Sequence, residues 1–162
     1  MIKKSFDAIV PANSKVLILG SLPGDRSLAE QQYYAHPQNR FWKLIFHLFE
    51  EDLPTDYPAR LALLHRHGIA LWDVCQTAFR KGSMDLDILQ EVPNPIPQLL
   101  ETQPGIQAIF FNGQKAEKLF DKYFQRSEGI SYYTLPSSSP ANASFNQDRL
   151  LERWKTIHAV LT

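Results

Sequence analysis

Four short apolar runs constrain the fold of this chain more than any other feature of its sequence. They occupy residues 15–21, 68–74, 107–113 and 131–136. Each run is near-continuous rather than alternating, which is typical of strands buried on both faces of a parallel sheet. Because segments with helical periodicity separate the runs, we predict an α/β fold. The predicted architecture is a three-layer sandwich in which helices flank a central, mainly parallel four-stranded sheet.

Apolar residues at helical spacing and helix-end residues predict four helices. One begins after Asp56, has Pro58 in its first turn and ends at Gly68, which are residue types favoured at those positions. The final helix is predicted as one continuous amphipathic segment. The apolar stripes of the other three helices are Phe41, Leu44, Ile45 and Leu48; Ala116, Leu119, Phe120 and Tyr123; and Leu150, Trp154, Ile157 and Leu161.

Length and charge limit the organisation of the chain and its partners. The chain has 162 residues, and a domain of this size hides roughly 70% of the surface that its unfolded form exposes. We therefore predict one domain, residues 1–162. Seventeen basic and seventeen acidic side chains give a formal net charge of zero. Any contact with nucleic acid must come from a local patch or from backbone donors rather than from an overall basic field.

Cysteine content and hydropathy exclude further classes of protein. Cys75 is the only cysteine, which excludes an intramolecular disulfide and zinc or iron–sulfur sites built on several cysteines. The first residues lack the apolar region of a signal peptide. No stretch approaches the roughly 18 apolar residues of a membrane span. We therefore expect a soluble, cytoplasmic protein.

Turn-forming and short polar residues follow each of the four predicted strands. In parallel α/β sheets, ligands bind beyond the carboxyl ends of the strands. The sequence therefore predicts the functional site at this edge. The segments that meet there are Gly20-Ser-Leu-Pro-Gly, Trp72-Asp73, Asn112-Gly113 and Pro136-Ser-Ser-Ser-Pro.

The turn that begins at Gly20 lacks the lysine of a phosphate-binding loop and the glycine spacing of a dinucleotide fingerprint. It is either a simple tight turn or a source of backbone N–H groups that, with Ser21, bind an anion or the edge of a base. Asp73 fits a helix cap. Asn112 either forms a turn with Gly113 or recognises a base edge through its amide donors and acceptors.

The segment Tyr33–Trp42 mixes aromatic, histidine, asparagine and arginine residues in a way that a core stripe does not. Pro37 disfavours helix at the preceding residue, so we predict a loop that enters a helix near Asn39. Asn39 either caps that helix or serves the site. Tyr34 offers an aromatic surface for a base removed from the stack. His36 is either a packed loop residue or a functional one.

Together these segments resemble the motifs of the uracil-DNA glycosylase superfamily, across nearly the whole chain. They are most similar to the branch of hypoxanthine (deoxyinosine)-DNA glycosylases, which is related to the mismatch-specific uracil glycosylases. The residues that carry the resemblance are Gly20-Ser-Leu-Pro-Gly, Tyr33-Tyr-Ala-His-Pro-Gln-Asn-Arg-Phe-Trp, His67-Gly-Ile-Ala-Leu-Trp-Asp-Val, Phe110-Phe-Asn-Gly and Leu135-Pro-Ser-Ser-Ser-Pro-Ala-Asn.

The resemblance implies a role for each matching residue. Asn39 is the catalytic amide that positions water, and His36 fixes Asn39 or donates to the departing base. Tyr34 stacks the base and Asn112 recognises its edge. The first motif binds the base through Gly20, Ser21 and Pro23, and the DNA-binding loop contributes Ser137, Ser138, Ser139 and Asn142.

The first motif also bears on the choice of base. Its residues Ser21-Leu22-Pro23 lack the Asp or Asn that uracil-removing branches carry there, which favours hypoxanthine over uracil. The chain has Gly24 where the hypoxanthine branch often has Ser, and its last motif has Ser where that branch often has Thr. These departures leave the preferred base open.

The resemblance thus implies a monofunctional DNA glycosylase that hydrolyses the N-glycosidic bond of a deaminated base in base-excision repair. Its partner is DNA, it needs no metal or cofactor, and we expect a monomer. One alternative is a uracil- or mismatch-specific glycosylase, and another is an inactive relative that binds nucleic acid. An acyl hydrolase that uses a serine of 137–139 with His158 and Asp148 lacks the Gly-x-Ser-x-Gly elbow.

Overall fold

A computed structural model of the chain describes residues 2–162, so of the predicted domain 1–162 only Met1 lies outside it. None of the helices in this range is long and apolar enough to cross a bilayer. The strands are β1 Ile2–Lys4, β2 Val16–Gly20, β3 Ile69–Asp73, β4 Cys75–Phe79, β5 Leu89–Pro93, β6 Ala108–Asn112 and β7 Ser131–Leu135. The α-helices are α1 Asp25–Glu30, α2 Phe41–Leu48, α3 Tyr57–His67, α4 Ile96–Thr102, α5 Gln114–Tyr123, α6 Gln147–Trp154 and α7 Thr156–Leu161, and a 3-10 helix spans Asp85–Asp87.

The central sheet has four parallel strands in the order β3-β2-β6-β7. Strand β2 is completely buried, and its alternate side chains enter two different cores because successive residues of a strand point to opposite faces. Val16 and Ile18 pack with α2, α3, α6 and α7. Leu17 and Leu19 pack with α4 and α5 on the other face. The predicted three-layer α/β fold is confirmed.

A second sheet of three antiparallel strands, in the order β1-β4-β5, has no counterpart in the sequence-based prediction. Buried and exposed residues are mixed along β4, and its pairing with β5 is irregular. A strand with one solvent-facing side leaves no continuous apolar run. Asp73 is the last residue of β3, two residues before β4 begins at Cys75. The interpretation of Asp73 as a helix cap is therefore wrong.

The predicted helix ends agree with the structure at α3 and disagree at the end of the chain. The Asp56 side chain accepts a hydrogen bond from the Ala59 N–H at 3.2 Å, and Gly68 closes the helix with a φ of 67°. The single final helix is instead two helices, α6 and α7, that meet at Lys155. The Thr156 hydroxyl donates to the Arg153 carbonyl at 3.1 Å, a local bond that competes with the helical ladder.

Candidate active site

The carboxyl ends of the four central strands open into one cleft of about 620 Å³. The turn after Gly20 and the end of β3 form one part of its lining. The end of β6 and the Ser-rich loop, which we define as residues 136–145, form another. Tyr34, His36 and Asn39 also line the cleft. The segments singled out in the sequence therefore meet at one edge of the sheet.

Three side chains form a continuous hydrogen-bonded network between separate elements of this cleft. The Ser138 hydroxyl donates to Asn39 Oδ1 at 2.8 Å. Asn112 Nδ2 donates to the Ser138 hydroxyl at 3.0 Å, and the Ser138 N–H donates to Asn112 Oδ1 at 3.0 Å. Ser138 is fully buried, and its side chain joins the loop to the sheet. The sequence analysis expected this side chain to contact DNA, and its burial argues against that role.

Asn39 serves the start of α2 and the cleft at the same time. Its Oδ1 accepts a hydrogen bond from the N–H of Phe41, the first residue of α2, at 3.0 Å. With the Ser138 hydroxyl also donating to it, this oxygen has two donors. The Nδ2 group donates no hydrogen bond within residues 2–162 and belongs to a side chain that lines the cleft. The two interpretations of Asn39 are therefore compatible, because capping uses the oxygen and leaves the amide donors free.

Arg40, beside Asn39, organises the Ser-rich loop from within. Its guanidinium donates to the carbonyl groups of Ser139 at 2.7 Å and Asn142 at 3.2 Å, and to that of Phe145. The Arg40 N–H also donates to the Ser138 carbonyl at 3.0 Å. A rigid fork of donors suits such converging acceptors. The shape of the loop is thus fixed by bonds to its own backbone.

Tyr34 has strained backbone geometry and an unpaired hydroxyl. Its φ of 54° lies in the left-handed region, which costs free energy for a residue with a β-carbon. Its ring stacks on Phe41 with centroids 4.0 Å apart, so only the opposite face remains for a base. Its hydroxyl is buried and has no partner in the described part of the chain. Burial, helped by the charge of Asp73, raises the pKa of Tyr34 against the opposing effect of the nearby Asn112 amide, which keeps the phenol protonated.

His36 lines the cleft, and its side chain makes no hydrogen bond to that of Asn39. The ring is exposed, and its Nδ1 accepts a hydrogen bond from the Gln38 N–H at 3.1 Å. The His36 carbonyl accepts from the Asn39 N–H at 2.9 Å. This backbone bond does not depend on the imidazole, whose Nε2 is left to face solvent or a ligand.

Asp73 is the buried carboxylate at the floor of the cleft. It is 4% exposed, lines the cleft and pairs with Gly20 in the sheet. No side chain or backbone group of residues 2–162 donates a hydrogen bond to the carboxyl, and Oδ2 is fully buried. A methyl group on Gly20 would lie 2.5 Å from Asp73 Oδ1 and 3.0 Å from the Tyr34 hydroxyl. Only glycine therefore lets these two polar groups approach each other.

Charges around Asp73 favour its neutral form. Burial, which is the largest cause, and the carboxylate of Asp85 raise the pKa of Asp73 from 3.8 to about 7 against the opposing effect of the Arg80 guanidinium. The Arg80 side chain is 1% exposed and binds the Pro23 carbonyl at 2.7 Å. Its Nη1 lies 3.8 Å from Asp85 Oδ1. With Asp85 closer to this cation, Asp73 is the carboxyl that can hold a proton near neutral pH.

Opposite the Ser-rich loop, the cleft is bounded by residues 81–88, which we call the apolar rim. Three contacts anchor it. The Ser21 hydroxyl donates to Asp85 Oδ1 at 2.6 Å. The Asp25 N–H donates to the Ser83 hydroxyl at 2.9 Å, and Lys3 donates to the Gly82 carbonyl. The Ser21 hydroxyl therefore holds this rim in place, in addition to the role in base binding that the sequence predicts for Ser21.

Comparison with known proteins assigns the family. The sequence model of the uracil DNA glycosylase superfamily matches residues 6–160. This chain belongs to the uracil DNA glycosylase superfamily. The resemblance seen in the sequence motifs is thereby confirmed.

Relatives of this superfamily member align over most of its length. It is 41% identical to a "Hypoxanthine DNA glycosylase" of Methanosarcina acetivorans over 97% of this chain and 98% of that protein. It is 39% identical to a "Hypoxanthine DNA glycosylase" of Methanosarcina barkeri, over 88% and 89% of the two chains. A solution NMR structure of a candidate uracil DNA glycosylase from Methanosarcina acetivorans has a TM-score of 0.83, with 39% identity and 99% coverage of both chains.

The residues of the acyl hydrolase alternative are not assembled in this glycosylase fold. Asp148 is exposed in the first turn of α6, and His158 lies on α7 with its ring 5.5 Å from that of Phe49. Neither lines the cleft that holds the three serines. The structure gives no support to serine hydrolysis.

Sequence reasoning missed three parts of the glycosylase cleft. Asp73 was placed at the predicted edge of the sheet but interpreted as a helix cap, although its position at the end of an apolar strand could have indicated a site residue. Arg40 lies within the segment that carries the resemblance, but its partners are loop carbonyls 98 to 105 residues away. The apolar rim depends on contacts with Ser21, Asp25 and Lys3, and no local pattern predicts them.

Proposed function

We propose that this chain is a monofunctional DNA glycosylase that removes hypoxanthine from DNA in base-excision repair. One arrangement carries the proposal: an amide–hydroxyl network containing Asn39 and an aromatic face of Tyr34 share a cleft with the buried carboxyl of Asp73. The identity of 41% to a hypoxanthine DNA glycosylase over 97% of the chain supports it. The sequence-based expectation was the same.

The cleft binds a nucleotide that has left the duplex. A deaminated base is mispaired, so extruding it costs less than extruding a paired base. The base stacks on the face of Tyr34 that Phe41 does not cover. The Asn112 amide already makes two bonds to Ser138, so one N–H and one lone pair remain to recognise the base edge. The backbone of Gly20, Ser21 and Pro23 completes the floor.

Bond cleavage uses the neutral carboxyl of Asp73 and a water held by Asn39. The N9–C1′ bond breaks and its electron pair passes to the purine, while Asp73 gives its proton to a ring nitrogen of the base. Asn39 holds the water by position, since an amide is not a general base near neutral pH. The water oxygen bonds to C1′, and the proton that it releases restores Asp73. The products are a free base and an abasic site.

The acid on the floor favours a purine as the leaving group. A purine retains ring nitrogens that accept a proton as the glycosidic bond breaks, whereas the leaving ring of uracil offers mainly carbonyl oxygens. The first motif carries no Asp or Asn, in keeping with a reaction that relies on leaving-group activation. Stabilisation of charge where it develops is the largest contribution in many such sites.

Contacts with DNA come from local cations, because the formal net charge is zero. Arg153 is exposed and lines the cleft, and Arg149 lies over the ring of Phe145 with 4.5 Å between its guanidinium carbon and the ring centroid. Ser137, Ser139 and Asn142 add hydroxyl and amide groups on the same loop. We propose a monomer with one domain, residues 1–162, that works in the cytoplasm without metal or cofactor.

The test is cleavage of end-labelled oligonucleotides that each contain one hypoxanthine, uracil, xanthine or mismatched thymine. Hot alkali then reveals abasic sites. We expect the strongest cleavage at hypoxanthine. Strongest cleavage at uracil would replace the proposed specificity by that of a uracil glycosylase, and no cleavage of any substrate would favour a protein that only binds nucleic acid.

A pair of matched variants tests the role of Asn39. We expect Asn39→Ala to lower the rate by about two to three orders of magnitude, as loss of a positioned group does. Asn146 is the matched control, because its side chain accepts a hydrogen bond from the Arg149 N–H at 2.9 Å at the start of α6, outside the cleft. Asn146→Ala should cost about 1 kcal/mol of stability and leave the rate intact. Equal rates for the two variants would reduce Asn39 to a cap.

A further inference from the structure

Arg80 is a buried cation that lies beneath the cleft without lining it. It directly follows β4, and its side chain is 1% exposed. Its Nε is fully buried and has no hydrogen-bond partner among residues 2–162. Burying a guanidinium is unfavourable unless it is fully paired, and apolar side chains of similar volume are often at least as stable in such a place. Stability of the fold alone therefore does not account for Arg80.

The Arg80 guanidinium holds the turn of the first motif, residues 20–24, through backbone carbonyls. Its Nη2 donates to the Pro23 carbonyl at 2.7 Å and to the Leu22 carbonyl at 3.4 Å. Its Nη1 lies 3.8 Å from Asp85 Oδ1, which accepts the Ser21 hydroxyl. One cation thus reaches three consecutive residues of the motif, two of them directly and one through Asp85.

The two preceding carbonyls of the motif are bound by the start of β4. The Val74 N–H donates to the Gly20 carbonyl at 2.8 Å, and the Cys75 N–H donates to the Ser21 carbonyl at 3.0 Å. The carbonyls of residues 20–23 are therefore all turned toward the segment that leads from Val74 to Arg80.

The N–H groups of this turn point the other way, because the C=O and N–H bonds of a planar trans peptide are antiparallel. The groups concerned are the N–H groups of Ser21, Leu22 and Gly24. None of them donates a hydrogen bond within the described residues 2–162, and all three residues line the cleft. Neighbouring N–H groups without acceptors form a concavity that suits negative charge.

We propose that Arg80 is a positioning residue for base excision, which holds the carbonyl side of the first motif so that the N–H groups of Ser21, Leu22 and Gly24 stay directed at the departing base. The electron pair of the glycosidic bond passes into the base as it leaves, so these donors act where negative charge develops. A positive charge behind the peptide groups strengthens them as donors, because hydrogen-bonded groups polarise one another at low dielectric. This role rests on the proposed glycosylase function.

Removing the guanidinium should slow the chemical step and spare the binding of DNA. Arg80→Met should lower the maximum single-turnover rate on a hypoxanthine duplex by about 100-fold, the loss expected when one such donor is removed. The duplex concentration that gives half of this rate should stay the same, because Arg80 does not line the cleft. The assay is run at about pH 5.5, where Asp73 is protonated in both proteins, since its pKa of about 7 rises when Arg80 is removed.

Arg60 provides the matched control. Its Nε also donates to a proline carbonyl, that of Pro54, at 2.8 Å, and the residue lies outside the cleft. Arg60→Met should therefore lose stability and keep the maximum rate. Arg80→Lys keeps the cation but not the fork of donors, so its rate should lie between those of the wild type and Arg80→Met. This milder variant tests the same role if Arg80→Met fails to fold.

A second measurement needs no cleavage. In amide NMR spectra, added hypoxanthine should shift the backbone resonances of Ser21, Leu22 and Gly24 in the wild-type protein. The shifts should be smaller in Arg80→Lys, because the motif is held less firmly. The side-chain amide of Asn112, which Arg80 does not contact, should shift in both proteins.

Four results would overturn the role of Arg80. They are a maximum rate of Arg80→Lys equal to that of the wild type, a loss that lies wholly in the half-saturating duplex concentration, an equal loss of rate in Arg60→Met, and resonances of the first motif that hypoxanthine leaves unmoved. The proposed glycosylase function fails separately. If the wild-type protein cuts no lesion but hypoxanthine still shifts these resonances in a manner that depends on Arg80, the positioning role stands without the glycosylase function.

Discussion

The two sides of the cleft satisfy their polar groups to different degrees. On the side of the Ser-rich loop, Asn39 and Asn112 both form hydrogen bonds with Ser138, and Arg40 binds loop carbonyls. On the side of Asp73, three buried atoms have no partner within the described chain: the Tyr34 hydroxyl, Asp73 Oδ2 and Arg80 Nε. The same side carries the exposed Leu86.

This difference separates a scaffold from a binding surface. A buried polar group without a partner costs about 1–3 kcal/mol. The Asp73 side therefore contributes less to the stability of the fold than it would if these groups were hydrogen-bonded. A ligand that supplies donors and acceptors recovers that free energy on binding. The polar groups on the side of the Ser-rich loop are already hydrogen-bonded, so a ligand recovers little free energy there. That side contributes a preformed shape to ligand binding.

The largest expected effect is a gain in stability on the unsatisfied side. The pKa of Asp73 is about 7 in the folded chain and 3.8 as its ordinary value, so the folded state holds a proton that the unfolded state has lost. Stability therefore falls as pH rises from about 4 to 7, by up to about 4 kcal/mol. Asp73→Asn should remove that fall, which makes the variant more stable than the wild type at pH 8 but not at pH 4.

Urea unfolding at these two pH values measures the effect, with Glu128→Gln as an exposed control. Activity of Asp73→Asn should be lost at both pH values, because the amide has no acidic proton to give. A variant that is no more stable than the wild type at pH 8 would mean that Asp73 is charged and satisfied in solution.

On the side of the Ser-rich loop, where the polar groups are already hydrogen-bonded, a conservative substitution should lower the stability of the protein. Arg40→Lys keeps the charge but loses the fork that binds the carbonyl groups of Ser139, Asn142 and Phe145. We expect a loss of about 2–3 kcal/mol, since hydrogen bonds from charged groups contribute more than neutral ones. Thermal unfolding measures it, and proteolysis should shift to the Ser-rich loop. A stability equal to that of the wild type would show that the loop holds its shape without Arg40.

A smaller loss should follow the removal of one hydroxyl. Ser138→Ala leaves Asn39 Oδ1 with one donor fewer and Asn112 Nδ2 without its acceptor, at a cost of about 1–2 kcal/mol. Ser139→Ala is the control, because that side chain is only half-buried. Equal stabilities of the two variants would argue against a network that depends on Ser138.

The smallest change in stability should come from the most exposed residue. Leu86→Ala should alter the free energy of unfolding by less than about 0.5 kcal/mol, as surface changes usually do. Urea unfolding of this variant beside the wild type measures the change. A loss above 1 kcal/mol would mean that Leu86 packs on the protein itself.

The central sheet and the location of the site follow from sequence because they depend on local patterns. Buried parallel strands give continuous apolar runs, and strand ends in one sheet meet at one edge. The sheet β1-β4-β5 escaped prediction because its strands are half-exposed and β1 has three residues. The break at Lys155 also escaped prediction, because neither Gly nor Pro marks it in the sequence.

Within the site, residue types were predictable and their partners were not. The Tyr33–Trp42 segment indicated Tyr34 and Asn39 through its residue types and its resemblance to a family motif. That Asn39 shares its oxygen with Phe41 and Ser138 depends on a loop 99 residues away. The altered pKa of Asp73 likewise depends on its burial and on Asp85 and Arg80, which lie outside the motifs. The predicted roles of the site residues stay predictions until the variants are measured.

Alkylation of the single cysteine can measure how often the region around Asp73 opens. Cys75 is free and fully buried, two residues beyond Asp73, and burial raises the pKa of its thiol to about 12. Thiols react as thiolates, so alkylation must wait until this region opens. The dependence of the labelling rate on urea would then distinguish local fluctuation from complete unfolding, in every variant, without an added probe.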